Sequence, residues 1–102
     1  MENTPFLKRV FTDGEIQYCF KRRTPQKHLA GRFAAKEACL KALGTGLSGG
    51  VTWTDIEVVN TNTGRPELKL HSTVRKNFPP RKKIFLSISY SSEFALALVA
   101  IG

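Results

Sequence analysis

The chain has 102 residues, 41% of them hydrophobic and 24% charged, which suits one globular domain and leaves no room for a second. It has no apolar run of about 18 residues and no apolar N-terminal stretch, so we expect no transmembrane helix, no secretion signal and a cytoplasmic location. Sixteen Lys and Arg against eight Asp and Glu give a net charge of +8, which favours an anionic partner such as nucleic acid, a phosphorylated molecule, anionic lipid or an acidic protein.

Two helices are predicted in the first half of the chain. The TDGE sequence at 12–15 is a capping box, so a short helix should follow it through about Phe20. The segment 6–11 before it looks like the tail of a longer element and is not expected to be stable by itself. Thr24-Pro25 begins a long helix that should end at Leu43, because a left-handed glycine follows.

The long helix has apolar residues around most of its circumference, which is typical of a helix at the centre of its domain. Charged residues there should be half-buried and need a partner, a metal or a ligand. Glu37 and Lys41 are four residues apart and could simply pair with each other. Alternatively, Glu37 holds Mg²⁺, Lys41 neutralises phosphate charge, and Arg32 binds phosphate through its planar fork.

The second half of the chain predicts two antiparallel hairpins and a short helix. The fold class is therefore α+β, a single domain with an antiparallel sheet packed against the long central helix. The last strand is almost continuously apolar, so we place it centrally in the sheet. The predicted strands are 53–59, 67–70, 84–89 and 94–101, and the short helix is 71–78.

Several other segments have two interpretations. The glycine-rich loop 44–50 is not a P-loop, since GxxxxGK[ST] is absent and the loop follows a helix, so a simple connector is favoured over a phosphate cradle. The hydroxyl-rich segment 87–92 is either a polar turn or a rim that hydrogen-bonds a nucleotide. His28 and His71 have no metal-pair spacing and should lie at the surface.

The cysteines and phenylalanines are expected to stabilise the core and not to form a functional site. Cys19 and Cys39 lack CxxC spacing and should be small buried thiols in a reducing compartment. The seven Phe residues look like core and not like base-stacking platforms, which argues against nucleic acid as the partner.

Six motifs together resemble the holo-(acyl-carrier-protein) synthases, the small bacterial phosphopantetheinyl transferases. The resemblance covers nearly the whole chain from Phe6, and its most specific block is 32–46. The motifs are FTxxExxYC at 11–19, LAGRFAAKEA at 29–38, KALGTG at 41–46, WxDIEV at 53–58, GxPxL at 64–68 and LSIS at 86–89.

The resemblance implies Mg²⁺-dependent transfer of 4′-phosphopantetheine from coenzyme A to a serine of apo acyl carrier protein, with release of adenosine 3′,5′-bisphosphate, in support of fatty acid biosynthesis. It implies Glu37 as the metal ligand and Lys41 as the lysine that touches the coenzyme A phosphates. An acidic carrier protein fits the +8 charge, and neither nucleic acid nor membrane is an expected partner. The implied coenzyme A site comprises Arg32, Phe33, Lys41, Gly44, Thr45 and Gly46, with Ser89, Tyr90 and Ser91 receiving the adenylate end from a neighbouring subunit of a homotrimer.

Two departures from the family pattern qualify this expectation. The family begins with a Gly-x-Asp strand, whose aspartate is a second magnesium ligand, and a helix whose basic residues dock the carrier. The chain starts near the end of that helix, so we expect residues 1–102 to be an N-terminally truncated transferase domain with weak or no activity. The second departure is Tyr90, where the family often has histidine. A catalytically silent coenzyme A-binding remnant and a small basic RNA-binding protein are the alternatives.

Overall fold

The computed structural model describes residues 4–44, 46–47 and 49–102. None of the helices in these residues combines the length and apolar character that a membrane span needs. The helices are α1 (Thr4–Val10), α2 (Asp13–Phe20), α3 (Pro25–Leu43) and α4 (Ser72–Asn77), and the strands are β1 (Ile56–Asn60), β2 (Pro66–Leu70), β3 (Ile84–Tyr90) and β4 (Ala95–Ile101).

Helices α2 and α3 begin and end where the sequence predicts. The Thr12 hydroxyl accepts a hydrogen bond from the Glu15 amide at 3.2 Å, and the Glu15 carboxylate accepts from the Thr12 amide at 2.9 Å. Helix α3 has Pro25 in its first turn and ends at Gly44, whose φ of 78° lies in the left-handed region. The Gly44 amide donates to the Leu40 carbonyl at 3.0 Å, which satisfies one of the last carbonyls of the helix.

Helix α1 covers most of the segment 6–11, which was not expected to be stable by itself, and packing holds it in place. Leu7 and Val10 are three residues apart, so they share one helix face, and both are buried. They pack with Phe11, Cys19 and Leu29 in one hydrophobic cluster. A helix of seven residues is marginal in isolation, so this packing supplies the stability that local propensity lacks.

The strands form two separate antiparallel hairpins, as predicted. Ile56 of β1 lies opposite Leu70 of β2, and Ile84 of β3 lies opposite Ile101 of β4. Helix α3 contacts β1, β3 and β4, so it is central to the domain as expected. The predicted start of the first strand is wrong, because residues Trp53–Asp55 form a 3₁₀ turn in which the Thr52 amide donates to the Asp55 carboxylate at 2.9 Å.

The central position predicted for the last strand is also wrong. Within the described residues, β4 pairs with β3 and with no other strand. Its inner residues face α3, but on its outer face Leu96 is 68% exposed and Leu98 70% exposed. The continuous apolar run thus reflects two apolar faces, of which only one is covered within this chain.

A second hydrophobic cluster lies nearer the C-terminal end of α3, around Cys39, Leu40, Val51, Ile56 and Val74. Both cysteines are buried and free, as predicted. Because Leu29 and Cys39 belong to different clusters, α3 joins the two halves of the core and fixes the orientation of its own exposed face.

Candidate active site

Glu37 and Lys41 lie on the exposed face of α3, one helical turn apart. Their expected half-burial is therefore wrong. Neither side chain has a hydrogen bond or ion pair with the described residues, and the simple Glu37–Lys41 pair is not among the three ion pairs found there. The carboxylate and the ammonium group are thus both available to a ligand.

An aromatic pair stands beside this face. Phe33 is four residues before Glu37 on the same line of α3, and its ring lies 5.0 Å from the ring of Trp53, tilted by 32°. Both rings are half-buried. Phe33 is among the residues that the resemblance implies for the site, and Trp53 is not; only the placement of the 3₁₀ turn against α3 brings Trp53 there.

The most deeply buried charged side chain of α3 is that of Lys36, to which the sequence assigned no role. Its side chain is fully buried, and Nζ lies 2.7 Å from Glu15 Oε1. Nζ also donates to the carbonyls of Trp53, at 3.1 Å, and Ile56. Burial lowers the pKa of Lys36, and the Glu15 carboxylate opposes part of that shift.

Glu15 completes this buried pair from α2. Its Oε1 accepts the Thr12 amide, and its Oε2 accepts the Val58 amide at 2.7 Å. The Glu15–Lys36 pair therefore connects α2, α3, the 3₁₀ turn and β1. It fixes the rotation of α3 about its axis, and with it the outward direction of Glu37.

Arg32 lies away from Glu37. It is only 2% exposed, and its Nη2 donates to Asn60 Oδ1 at 2.6 Å. Five residues separate positions 32 and 37, which is about 140° around a helix with 3.6 residues per turn. Within one chain, the structure does not bring Arg32 together with Glu37 and Lys41.

The loop after α3 is described only in part. Gly44 and Gly46 have positive φ values of 78° and 57°, which glycine adopts without steric cost. Thr45, which the resemblance assigns to the coenzyme A site, lies outside the described residues. Gly44 follows Lys41 by three residues, so the start of the loop is close to the exposed lysine.

The hydroxyl segment lies at the other end of α3. The Tyr90 ring packs on Gly31, where an added Cβ would lie 2.6 Å from the Tyr90 hydroxyl, and its centroid is 5.4 Å from that of His28. Burial raises the pKa of Tyr90. The Ser91 hydroxyl accepts from the Phe94 amide at 2.9 Å and so stabilises the β3–β4 turn. Ser89 is exposed on the outer face of the hairpin.

A groove of about 510 Å³ adjoins this turn. It runs between the first turns of α3, including Lys27, and the turn residues Ser91 and Phe94. Tyr90 and Ser91 therefore lie at the N-terminal end of α3, whereas Lys41 lies at its C-terminal end. The ten residues from Gly31 to Lys41 span about 15 Å.

Glu57 and His71 form a further polar cluster. Glu57 Oε1 lies 2.8 Å from His71 Nε2, and Glu57 Oε2 accepts the Thr12 hydroxyl at 2.7 Å. Burial would raise the pKa of Glu57, but the hydrogen bonds from Thr12 and His71 hold it below its ordinary value. His71, which was expected to lie at the surface, is thus partly covered and paired with Glu57.

The carboxylates are dispersed. In the described part of the chain, no group of three or more His, Cys, Asp or Glu side chains is placed to hold a metal ion. Glu37, which the resemblance implies as the metal ligand, presents a single carboxylate that has no ion-pair partner among the described residues.

Comparison with known proteins identifies the family to which this arrangement belongs. The family model described as the 4′-phosphopantetheinyl transferase superfamily matches residues 1–99. The chain belongs to this superfamily. A holo-[acyl-carrier-protein] synthase from Geotalea daltonii is 46% identical over 101 residues, which cover 97% of this chain and 81% of the relative.

Solved structures of phosphopantetheinyl transferases share the fold. A holo-[acyl-carrier-protein] synthase from Neisseria meningitidis superimposes with a TM-score of 0.85 at 30% identity, covering 99% of this chain and 82% of that chain. One from Bacillus anthracis, in complex with CoA (3′,5′-ADP), gives a TM-score of 0.77 at 39% identity, covering 95% and 79%. These matches confirm the resemblance to holo-(acyl-carrier-protein) synthases, the α+β fold and the transferase class.

Proposed function

We propose that this chain transfers 4′-phosphopantetheine from coenzyme A to a serine of an apo acyl carrier protein in the cytoplasm. The serine oxygen forms a bond to the phosphorus that bears pantetheine, the phosphoanhydride bond breaks, and adenosine 3′,5′-bisphosphate leaves with its electron pair while the serine proton is released. The observation that carries the proposal is the exposed, unpartnered Glu37 carboxylate one turn from the Lys41 ammonium group, in a member of the transferase superfamily.

The chemistry of Glu37 fits Mg²⁺. Magnesium prefers oxygen ligands, keeps several waters, and is commonly bound by one or two carboxylates together with substrate phosphate oxygens. Glu37 supplies one exposed carboxylate of this kind, and no lysine or arginine among the described residues competes for it. When bound, the ion would neutralise charge on the pyrophosphate of the donor.

Lys41 and the aromatic pair complete this half of the site. The Lys41 ammonium group would attract a donor phosphate and stabilise charge that develops on the leaving bisphosphate. Phe33 and Trp53 would offer an apolar wall for the pantetheine arm. Gly46 and Thr45 would follow along the same loop.

The adenylate end of the donor would be bound by a neighbouring copy in a homotrimer. Tyr90 and Ser91 lie about 15 Å along α3 from Lys41, so in one chain they are remote from Glu37. The outer face of β3 and β4 supports self-association, because large apolar side chains exposed together on one face often mark an interaction site. Three of its residues are more than half exposed: Phe85 at 57%, Leu96 at 68% and Leu98 at 70%.

An acidic acyl carrier protein would be the second substrate. The net charge of +8 favours encounter with an acidic partner and would make the association rate fall as salt rises. Lys8 and Arg9, both exposed in the last turn of α1, are candidates for this contact.

Intact-mass analysis of apo carrier protein tests the proposal. After incubation with this chain, coenzyme A and Mg²⁺, the carrier should gain the mass of one 4′-phosphopantetheine group, and bisphosphate should appear in equal amount. Coenzyme A binding without any gain of mass would instead support the catalytically silent remnant. Absence of both binding and transfer would reject this reaction for the chain.

A further inference from the structure

A cavity of about 440 Å³ opens beside the C-terminal end of α3, between α4, the turn that follows α4 and the end of β4. We call it the α4 cavity, because Thr73, Val74 and Asn77 of that helix line it. Its volume lies within the range of about 300–1,000 Å³ that small-molecule sites occupy. Neither Glu37 nor Lys41 lines the α4 cavity, so within one chain it is separate from the face proposed for donor chemistry.

The floor of the α4 cavity is apolar. Val51 is 9% exposed and Val74 is 6% exposed, and Leu43 packs against the same hydrophobic cluster. Ile101 belongs to the half-buried residues of β4, which alternate with those of its exposed outer face. The cavity is therefore on the other side of the β3–β4 hairpin from the surface proposed for self-association.

The rim of the α4 cavity is polar and carries one positive charge. Thr73, Asn77 and Lys82 line the cavity and are exposed. Their side chains have no ion pair with the described residues, among which no Asp or Glu lines the cavity. The Pro79 carbonyl accepts a hydrogen bond from the Lys82 amide at 3.1 Å, so a tight turn fixes the position from which the lysine side chain extends.

The surface around this rim is strongly basic. No Asp or Glu occurs from position 68 to position 92, whereas residues 75–83 include Arg75, Lys76, Arg81, Lys82 and Lys83. All five are exposed, and none forms an ion pair in the described part of the chain. Positive charge that is concentrated on one segment and not neutralised there attracts anions. An apolar floor beneath a basic rim thus favours a ligand with an apolar body and an anionic head.

We propose that the α4 cavity binds an unesterified aliphatic carboxylate, with the alkyl chain on the floor and the carboxylate at Lys82. Burying the chain is favourable because it removes apolar surface from water, and the aliphatic side chains of Leu43, Val51 and Val74 match it chemically. The carboxylate would accept hydrogen bonds from the Lys82 ammonium group and the Asn77 amide at the rim. This site would bind its ligand without Mg²⁺, coenzyme A or carrier protein, so it does not depend on the proposed transfer reaction.

Titration with hexanoate, octanoate and decanoate, each below its micelle concentration, tests the site. Each added methylene group should tighten binding roughly threefold to fourfold until the chain fills the cavity. Amide chemical shifts should respond at residues 42–43, 73–78, 82 and 101. Affinity that does not depend on chain length, or shifts confined to other segments, would overturn the proposal.

Two neighbouring lysines test the role of charge. Lys82→Gln should weaken octanoate binding about fivefold, because it removes a charge-assisted hydrogen bond. Lys83 is exposed but does not line the cavity, so Lys83→Gln should change the affinity by less than about twofold. Octanol has the same chain without the charge, and it should bind wild-type protein and Lys82→Gln equally. Equal weakening of octanoate binding by the two variants would mean diffuse attraction to a basic surface and would reject the site.

A larger side chain at position 42 tests the shape of the cavity. Ala42 lines the cavity and is exposed, so Ala42→Phe should fill part of the volume and leave the core intact. The variant should weaken decanoate binding more than hexanoate binding, because the longer chain needs more of the cavity. The same loss for both ligands, or no loss for either, would show that the alkyl chain lies elsewhere.

Competition experiments separate the α4 cavity from other sites for the same ligand. Octanoate binding that persists at saturating coenzyme A supports the cavity. Displacement by coenzyme A, with shifts at Phe33 and Trp53, would instead place the alkyl chain on the wall proposed for pantetheine and overturn the proposal. Binding to vesicles of anionic phospholipid without binding to octanoate would also overturn it, since the basic segment would then contact a lipid surface. None of these results depends on whether a carrier protein is modified.

Discussion

At the scale of the residue, the placement of charge on α3 decides the chemistry available to the chain. Lys36 and Glu37 are adjacent in sequence and have opposite environments: the first is fully buried and satisfied by Glu15 and two carbonyls, and the second is exposed and unpartnered. The buried pair sets the direction of the exposed carboxylate. A positioning role for Lys36 therefore accompanies the ligand role proposed for Glu37.

Replacing Lys36 by methionine should destabilise the fold strongly. The substitution leaves the Glu15 carboxylate buried without its counter-charge, a change that typically costs about 3–5 kcal/mol. Arg65→Met is the matched control, because it breaks the exposed Arg65–Glu67 pair, whose side chains are 72% and 52% exposed, and should cost less than about 1 kcal/mol. Urea unfolding monitored by circular dichroism measures the free energy of unfolding of both variants. Similar losses of this free energy in the two variants would refute a structural role for the buried pair.

The sequence could not show which of the charged residues of α3 is buried. The charged residues of α3 lie amid apolar neighbours on every side, at positions 32, 36, 37 and 41. Helical periodicity therefore did not identify the solvent-exposed face of the helix. The deciding partners, Glu15 and the carbonyls of Trp53 and Ile56, are 17 to 21 residues away from Lys36 in the chain. Contacts of that kind follow from packing and have no local signal.

At the scale of the element, local sequence signals predicted the ends of the helices correctly. They did not predict how the elements pack against one another. The capping box at Thr12 and the left-handed Gly44 gave the bounds of two helices, because both signals act within a few residues. The stability of α1, the 3₁₀ turn at Trp53–Asp55 and the edge position of β4 depend on which other elements cover them. The resemblance to the family predicted the fold class correctly for a different reason, since it compares residue patterns along nearly the whole chain.

The contact between Gly31 and Tyr90 explains a glycine inside α3. Alanine normally stabilises a helix interior by about 1 kcal/mol relative to glycine, but here an added Cβ would overlap the Tyr90 ring. We expect Gly31→Ala to give no gain in stability in the wild-type protein and a gain of about 1 kcal/mol in the Tyr90→Ala background. A double-mutant cycle by chemical denaturation measures this coupling; equal effects in both backgrounds would mean that Tyr90 does not restrict position 31.

At the scale of the whole molecule, one chain keeps the two halves of the proposed site apart. The Glu37–Lys41 face lies toward one end of α3, and the Tyr90–Ser91 turn lies at the other. The bare outer face of β3 and β4 offers the surface through which copies could join these halves. The resemblance implied the residues of both halves, which stays a prediction, but their separation along α3 is visible only in the structure.

Leu98→Lys should disrupt self-association. Leu98 is at the centre of the exposed outer face of β3 and β4. The free-energy cost of burying a lysine there without a partner would exceed the gain from the surrounding apolar contacts. Sedimentation velocity should show wild-type protein as a trimer and the variant as a monomer, with a loss of transfer activity in parallel. Phe20→Lys, at an apolar residue that is 40% exposed on α2, should leave the trimer intact. Wild-type protein that stays monomeric at all concentrations would contradict the proposed assembly.

The central physical claim is that the Glu37 carboxylate holds the divalent cation that faces the donor pyrophosphate. The most direct measurement is the initial rate of carrier modification as a function of Mg²⁺ concentration, for wild-type protein, Glu37→Gln and the exposed control Glu67→Gln. We predict that Glu37→Gln lowers the rate at least about a hundredfold, as loss of 2.7 kcal/mol of transition-state stabilisation would, and raises the Mg²⁺ concentration needed for half-maximal rate, while Glu67→Gln behaves as wild type. A Glu37→Gln variant with an unchanged rate and unchanged Mg²⁺ dependence would contradict the claim.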